Sequence, residues 1–204
     1  HFKELYGEII AVPESRIVQP ADGETIRVGE LELEFIYTRG HANHHFVIFD
    51  KASKSIFTGD SFGVAYPILQ GGKFPFLFPS TSPTDFDAAE ARISYDKIIK
   101  SGATTAYPTH YGAWQDIALG YKMLNAAIDE IEKMFNAIYQ STMDDKAAQS
   151  FAREQIERYF TRELAERGIL LNAEGKTVLE MDIDLNSQGI AFAALRARKK
   201  VQGA

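Results

Sequence analysis

The chain of 204 residues contains no cysteine. This absence excludes disulfide bridges, thiolate zinc sites, iron–sulfur clusters and cysteine nucleophiles, so any bound metal must be held by histidine and carboxylate side chains. The chain also lacks an apolar run of the roughly 18 residues that a membrane span needs, and its start has neither the basic nor the apolar region of a signal peptide. We therefore expect a cytoplasmic protein without a membrane partner.

Positive charge is scarce relative to negative charge. The sequence has 22 Lys and Arg against 28 Asp and Glu, a formal net charge of -6. Because no excess of cation is available to bind a phosphate backbone, nucleic acid is not an expected partner and nuclease activity is disfavoured. Hydrophobic residues at 45% and charged residues at 25% are typical of a globular chain with a sizeable core.

Proline is absent after Pro108, which divides the chain into two predicted regions, 1–113 and 114–204. In the first, short runs rich in β-branched and aromatic residues predict strands, and a helix follows that ends at Lys100. In the second, apolar residues recur at steps of three and four and predict a helix of about seven turns. These residues are Ile117, Tyr121, Leu124, Ile128, Ile131, Phe135 and Ile138. Core packing is the first interpretation of this stripe, and a dimerising coiled coil is the alternative.

Two more helices are predicted in the second region. One runs from Asp144 to Arg167, and the other is a short closing helix from Leu185 to Ala197. Asn186 is a candidate for the cap of the closing helix because its side chain can accept a hydrogen bond from a backbone N–H group.

Histidine and aspartate are concentrated at the ends of predicted strands. The residues are His41, His44 and His45 in RGHANHH, Asp60 in FTGDSFG and His110 in YPTHYG. Imidazole and carboxylate form a ligand set suited to zinc, iron or manganese. Each residue alone has a simpler interpretation, because a histidine at a strand end is often only hydrogen-bonded and a Gly-Asp pair is often a turn. Three histidines within five residues are harder to explain without a metal, a carboxylate or water beside their nitrogens.

The order of these motifs resembles the carboxyl-terminal half of the metallo-β-lactamase superfamily, and within it the glyoxalase II-like hydrolases. The resemblance covers residues 20–112. It implies that His41, the first histidine of a motif of the type GHTxGH, binds a metal, whereas His45, the second, does not. It also implies that Asp60 of TGD bridges two metals and that His110 binds one of them.

One motif of that superfamily is missing from this sequence. The HxHxDH motif supplies four further ligands upstream, and here only one histidine, at position 1, precedes His41. The resemblance therefore implies that this chain offers each metal two side chains, whereas three are usual in catalytic sites.

The expected fold is α/β: half of an αβ/βα metallo-β-lactamase-type sandwich, followed by a mainly helical carboxyl-terminal region. In the complete sandwich two sheets pack face to face. We therefore expect one face of the remaining sheet to be uncovered, and we expect an amino-terminal half or a second copy of the chain, as a homodimer, to cover it.

The segment 71–83 places Phe74, Phe76 and Phe78 among three prolines. A rigid aromatic loop near a metal site is a candidate wall for a substrate pocket, and the alternative is a loop that packs its own rings under the following helix. His44 stands where the motif usually has a small residue, so it either adds a hydrogen-bonding group at the site or caps the loop.

These expectations combine into one functional hypothesis, a metal-dependent hydrolase. Two divalent ions, zinc first and iron or manganese as alternatives, would activate a water that attacks an ester, thioester or amide of a small-molecule substrate. Asp60 would be the catalytic residue that orients the resulting hydroxide. The alternative is a catalytically inert interaction domain of the same fold that associates through its helices. Flavin-linked chemistry at two irons is disfavoured because no flavin-binding segment is visible.

Overall fold

The computed structural model describes residue 4 and residues 7–83 and 85–202. Within these residues the chain forms five β-strands, four α-helices and two short 3-10 turns. The strands are β1 (Thr25–Val28), β2 (Leu31–Tyr37), β3 (Phe46–Asp50), β4 (Ser55–Gly59) and β5 (Thr105–Pro108). The helices are α1 (Ala88–Lys100), α2 (Ile117–Tyr139), α3 (Asp145–Arg167) and α4 (Ala173–Gln202), and the turns are Glu14–Arg16 and Pro67–Leu69.

The strands form one sheet in the order β1-β2-β3-β4-β5. The pairs β1–β2, β2–β3 and β3–β4 are antiparallel. Strands β4 and β5 are parallel and are joined through α1. Because β3 runs opposite to both β2 and β4, the strands β2, β4 and β5 all run in the same direction. Their carboxyl ends therefore lie at the same edge of the sheet, and the predicted site residues follow these three strands.

One face of the sheet packs against the helices. Val47, Phe49 and Ile56 lie on this face and belong to a single buried cluster that also contains residues of all four helices. Their alternation with more exposed neighbours along each strand is the expected consequence of the two-residue period of a strand. The α/β class expected from the sequence is confirmed, and the two predicted regions share this core.

The opposite face of the sheet is partly open to solvent. The strand register aligns Phe35, Ile48, Phe57 and Tyr107 in one row across β2 to β5, which we call the open face. Phe57 is 48% exposed although its ring stacks on Tyr107, with the ring centroids 5.2 Å apart. The expectation of an uncovered apolar face is confirmed for these residues.

The long helix predicted from the apolar stripe is confirmed as α2. Leu124, Ile128 and Ile138 of this stripe are completely buried within the chain's own core. The core interpretation therefore accounts for the stripe. These side chains are buried inside the chain and are not accessible to a coiled-coil partner. In the parts of the chain that the structure describes, no helix is both long and apolar enough to cross a bilayer.

The prediction for the closing helix is wrong in its extent. Helix α4 begins at Ala173, not at Leu185, and continues to Gln202. Asn186 therefore lies inside the helix and is not its cap. Polar residues dominate the first turns of α4, so the apolar periodicity of this part is weak in the sequence. The apolar face is nevertheless buried because α4 packs against both α2 and α3.

Candidate metal centre

Three of the predicted site residues meet at the edge where β2, β4 and β5 end. Nε2 of His41 lies 3.6 Å from Oδ2 of Asp60, and Nε2 of His110 lies 3.6 Å from Oδ1 of Asp60. The two imidazoles therefore face different oxygens of the same carboxylate. The structure brings these three side chains together as expected, while their role as metal ligands stays a prediction.

The two distances fit a carboxylate that bridges two ions. A zinc ion bound at about 2.0–2.2 Å to one nitrogen and one oxygen in tetrahedral geometry holds these atoms about 3.4 Å apart. Each imidazole is close to this separation from its own oxygen. Oδ1 of Asp60 is also buried and has no hydrogen-bond partner among the described residues. Such an oxygen costs free energy unless a cation or water compensates it, so the side chains fit a pair of divalent ions.

These side chains do not enclose a single ion. Among residues 4, 7–83 and 85–202, no group of three or more His, Asp and Glu side chains is arranged to hold one metal. The reason is geometric: His41 and His110 lie on opposite oxygens of Asp60, so each ion would receive one nitrogen and one oxygen from them. Because a catalytic zinc usually has three protein ligands, these residues supply part of a ligand set.

The ring of His41 is oriented by a segment of loop between β4 and α1. Its Nδ1–H group donates to the backbone carbonyl of Ser80 at 3.2 Å, and Nε2 is directed towards Asp60. The hydroxyl of Ser82 donates to the backbone carbonyl of His41 at 2.9 Å. A hydrogen bond from the second ring nitrogen is the usual way in which a metal-binding histidine is held in the correct tautomer.

The backbone before His41 packs directly against α1. Gly40 has φ +110°, and a Cβ atom there would lie 2.3 Å from the backbone nitrogen of Ala91. The N–H group of Asp87, the cap of α1, donates to the carbonyl of Gly40 at 2.9 Å, and the Ser94 hydroxyl donates to the carbonyl of Arg39 at 2.6 Å. Glycine is required at position 40 because both its conformation and the close approach of α1 exclude a side chain.

His45 supports the turn that follows β4. Its Nδ1 lies 2.8 Å from the Ser61 hydroxyl and 3.3 Å from the Thr38 hydroxyl. A Cβ atom on Gly59, which has φ +51°, would lie 2.5 Å from Nε2 of His45. Burial lowers the pKa of His45, and the nearby His41 ring lowers it further, so the neutral ring is favoured. His45 therefore supports the turn that leads to Asp60, and the expectation that it is not itself a ligand stays a prediction.

His110 is held mainly by packing of its ring. Its side chain is 44% exposed, and its ring packs on Tyr66 with centroids 5.6 Å apart. The Tyr66 hydroxyl lies beside Asp182 of α4, which is buried and whose Oδ2 has no hydrogen-bond partner among the described residues. Burial raises the pKa of Asp182 to about 6, and the Tyr66 hydroxyl beside it acts in the opposite direction. Burial also raises the pKa of the Tyr66 hydroxyl.

The remaining predicted residues lie away from this carboxylate. Phe76 and Phe78 are buried and pack on Phe160 of α3, with ring centroids 5.7 and 4.8 Å apart respectively. They belong to the core, which corrects the expectation that they line a pocket. The alternative, that the loop packs its rings under a helix, is the better description, and the helix is α3. Phe74 is 63% exposed. His44 is exposed on the loop before β3.

Sequence reasoning missed Tyr66 and Asp182, the residues that pack behind His110. One signal was available: Asp182 and Asn186 are polar, four residues apart, and lie on the same side of a helix whose neighbouring residues Leu179 and Ile183 are apolar. Both polar residues are buried, at 6% and 3% exposed. A buried polar pair of this kind needs partners outside its helix, which marks it as a candidate contact with another part of the fold.

The comparisons with known proteins identify the family of the chain. The family model of the Metallo-beta-lactamase superfamily matches residues 2–110, which is more than half of the chain. The chain belongs to the metallo-β-lactamase superfamily. No curated protein matches the chain significantly.

Solved structures of the same fold resemble most of the chain. ST1585, an archaeal metallo-beta-lactamase superfamily protein from Sulfolobus tokodaii, has 17% identity and a TM-score of 0.52, with 93% of this chain and 57% of that chain covered. The metallo-beta-lactamase family protein TTHA1429 from Thermus thermophilus has 17% identity and a TM-score of 0.52, with coverages of 88% and 48%. A beta-lactamase domain protein from Burkholderia ambifaria has 15% identity and a TM-score of 0.55, with coverages of 91% and 48%. At these identities the likeness shows the fold, and the chain spans about half the length of these proteins.

Proposed function

We propose that this protein is a metal-dependent hydrolase of the glyoxalase II-like type, in which Asp60 bridges two divalent ions. His41 binds one ion and His110 binds the other. The observation that carries the proposal is that each imidazole presents Nε2 to a different oxygen of Asp60 at 3.6 Å. An ordinary ion pair needs only one imidazole, whereas two imidazoles on opposite oxygens suit a bridging carboxylate.

The residues of this chain have separate roles in the proposed reaction. Bound metals supply Lewis acidity and lower the pKa of a bound water to about 7, as in other metal hydrolases. Asp60 would hold that water in position opposite the carbonyl carbon of an ester, thioester or amide. The neutral His45 and the glycine beneath it keep the turn that carries Asp60 in place. The exposed side of His110 leaves room for a small-molecule substrate. Zinc suits this nitrogen and oxygen set best, and iron or manganese also fit it.

The proposed site needs ligands beyond His41, Asp60 and His110. We assign them to a second β-layer, from the same polypeptide or from a second copy, that covers the open face. Two facts support this assignment: the aligned apolar row is partly exposed, and the chain spans about half the length of similar structures. Covering such a row removes apolar surface from water and is favourable by about 25 cal/mol per Å² buried.

Metal analysis of the native protein, purified without chelators, tests the proposal. We expect close to two equivalents of a transition metal and hydrolysis of simple esters or thioesters. His41→Ala and His110→Ala should each remove one equivalent, and Asp60→Ala should remove both, with loss of hydrolysis in every case. His44→Ala is the matched control on the same loop and should change neither quantity. A native protein without transition metal, or the same metal content in all these variants, would contradict the proposal.

An inert interaction domain is the second candidate. It is favoured by the lack, among the described residues, of any group of three side chains that could hold one ion. It predicts no metal and no hydrolysis in the native protein, so the same measurements distinguish it from the first candidate.

A further inference from the structure

We propose that helix α4 positions both imidazoles of the candidate metal centre, through Thr81 for His41 and through Tyr66 for His110. This inference builds on the proposed function, because it treats the two imidazoles as metal ligands. Helix α4 starts at Ala173 and so lies outside residues 2–110, where the family model matches. The helical region would then be part of the site and not only a support for the sheet.

The first contact joins α4 to the segment before α1. The N–H group of Thr81 donates to Oδ1 of Asn186 at 2.9 Å, and the Thr81 hydroxyl lies 2.8 Å from the same oxygen. Both residues are buried, Thr81 at 1% exposed and Asn186 at 3% exposed. A Cβ atom on Gly189, one turn further along α4, would lie 1.7 Å from the carbonyl oxygen of Thr81. The contact is therefore shielded from solvent, and it requires a residue without a side chain at position 189.

The neighbours of Thr81 carry this contact to His41. Ser80, on one side, accepts the hydrogen bond from Nδ1 of His41, and Ser82, on the other, donates to the His41 carbonyl. Thr81, in the centre of this short segment, is hydrogen-bonded to α4. Both flanking residues are hydrogen-bonded to His41. A shift of α4 at Asn186 would therefore alter the hydrogen bond that fixes the tautomer of the His41 ring.

The second contact lies one turn earlier on α4. Asp182 lies beside the Tyr66 hydroxyl, and the Tyr66 ring packs on the His110 ring. Asp182 is 6% exposed, and its Oδ2 has no partner among the described residues. A buried carboxylate is costly to keep in a core, so we assign Asp182 a role there, which is to hold the aromatic ring that packs on His110.

The two contacts are coupled because they share one rigid element. The side-chain amide of Asn186 donates to the carbonyl of Asp182 at 2.8 Å, so the two residues are held on the same side of α4. Arg153 of α3 forms ion pairs with Glu180 and Asp184 on the same stretch of α4. Removal of residues that orient metal ligands typically lowers metal affinity about 10- to 100-fold, and we expect effects in this range.

The His41 contact is tested with Thr81→Val and, independently, with Asn186→Leu. The readouts are the ¹⁵N chemical shifts of the imidazole nitrogens in metal-free protein and the metal dissociation constant from chelator competition. We expect the His41 signals to move from one tautomer towards an average of two, and the affinity to fall about 10- to 100-fold. Thr81→Ser keeps the hydroxyl and should restore both values. Leu185→Ala, a change at a side chain 52% exposed on the same helix, should leave both unchanged.

The His110 contact is tested with Tyr66→Phe and Asp182→Ala. Both should change the His110 ring signals and lower metal affinity, whereas Asp182→Asn keeps a polar side chain of similar shape beside the Tyr66 hydroxyl and should have the smaller effect. Unchanged imidazole signals and unchanged affinity in Thr81→Val and Tyr66→Phe would overturn the inference.

The two proposals fail in different ways. If the native protein binds no metal but Thr81→Val and Tyr66→Phe still alter the imidazole signals, α4 positions the rings and the hydrolase proposal is wrong. If the native protein binds metal and these variants leave both readouts unchanged, the hydrolase proposal stands and the positioning by α4 is wrong.

Discussion

The two histidines of the candidate centre are held in opposite ways. His41 has a side chain 17% exposed, a hydrogen-bonded ring and a backbone pressed against α1. His110 has a side chain 44% exposed and rests on the Tyr66 ring. The backbone hydrogen bonds around His110, from Thr109 and Tyr111, are long at 3.4 Å. His41 is therefore fixed by its own surroundings, and His110 lies on the more accessible side of Asp60.

The position of each strand explains this difference. Strand β2 lies inside the sheet, so the loop after it must turn back into β3 beneath α1. Strand β5 is an edge strand of the described sheet, and the loop after it folds back so that Trp114 forms an isolated bridge to Ala106. We infer that the interior loop sets the geometry of the site while the edge loop gives access to it.

The largest difference in stability between the loop after β2 and the loop after β5 is expected from alanine substitutions at two glycines. These glycines have similar φ angles, +110° at Gly40 and +123° at Gly112. Alanine at either position adopts a strained backbone that costs about 1–3 kcal/mol. At Gly40 the new Cβ also overlaps Ala91, whereas nothing lies within 4 Å at Gly112. We expect Gly40→Ala to lower the free energy of unfolding in urea by a further 1–3 kcal/mol or so. Equal losses in the two variants would show that both loops are equally open.

The convergence of the site was predictable from sequence because it depends on strand order. Asp60 and His110 each follow an apolar strand, and strands that run in the same direction end at the same edge. The family resemblance then identified which histidine of the loop before β3 takes part. The core positions of α2 were predictable for a similar reason, since the three- and four-residue spacing of its apolar stripe is visible in the sequence alone.

The contacts of α4 were not predictable in the same way. Asn186 and Thr81 are 105 positions apart, and nothing in the local sequence of either residue indicates the other. A polar residue at the start of an apolar run has the pattern of a helix cap, so the sequence alone favours a cap at Asn186.

The roles of Phe76 and Phe78 are ambiguous in the sequence because an aromatic loop has the same composition whether it lines a pocket or fills a core. Only packing against Phe160 decides between the two.

An intermediate effect is expected from one buried hydroxyl. Ser94 is 2% exposed and donates to the carbonyl of Arg39 in the His41 loop. Ser94→Ala leaves this carbonyl unpaired and should lower the free energy of unfolding by about 1–2 kcal/mol. Thr109→Ala removes an exposed hydroxyl beside His110 and should change it by less than about 0.5 kcal/mol. Hydrogen exchange should also become faster at the His45 amide in Ser94→Ala, and an unchanged rate would argue that α1 does not hold this loop.

The smallest expected effect concerns the charge that fixes the end of β2. The N–H group of Tyr37 donates to Oδ1 of Asp22 at 2.7 Å, and Nζ of Lys97 lies 3.3 Å from Oδ2. The hydrogen bond from Tyr37, with Lys97 adding to it, lowers the pKa of Asp22 below its ordinary value of 3.8. A carboxyl group whose pKa is lowered in the folded state stabilises the protein above its unfolded pKa, and this stabilisation is lost as the pH falls through the folded value.

The variant Asp22→Asn keeps an acceptor for the Tyr37 N–H group and removes only the charge. Because Asp22 is half exposed, we expect the variant to be less stable than the natural protein by at most about 1 kcal/mol at pH 7. The difference should shrink as the pH falls below 3.8 and should also shrink in high salt. Glu30→Gln, which removes an exposed charge from the turn between β1 and β2, should show no such pH dependence. A difference that persists in acid would mean that the carboxylate charge does not help to hold the strand that leads to His41, and the contrast with the His110 side would then rest on packing and neutral hydrogen bonds.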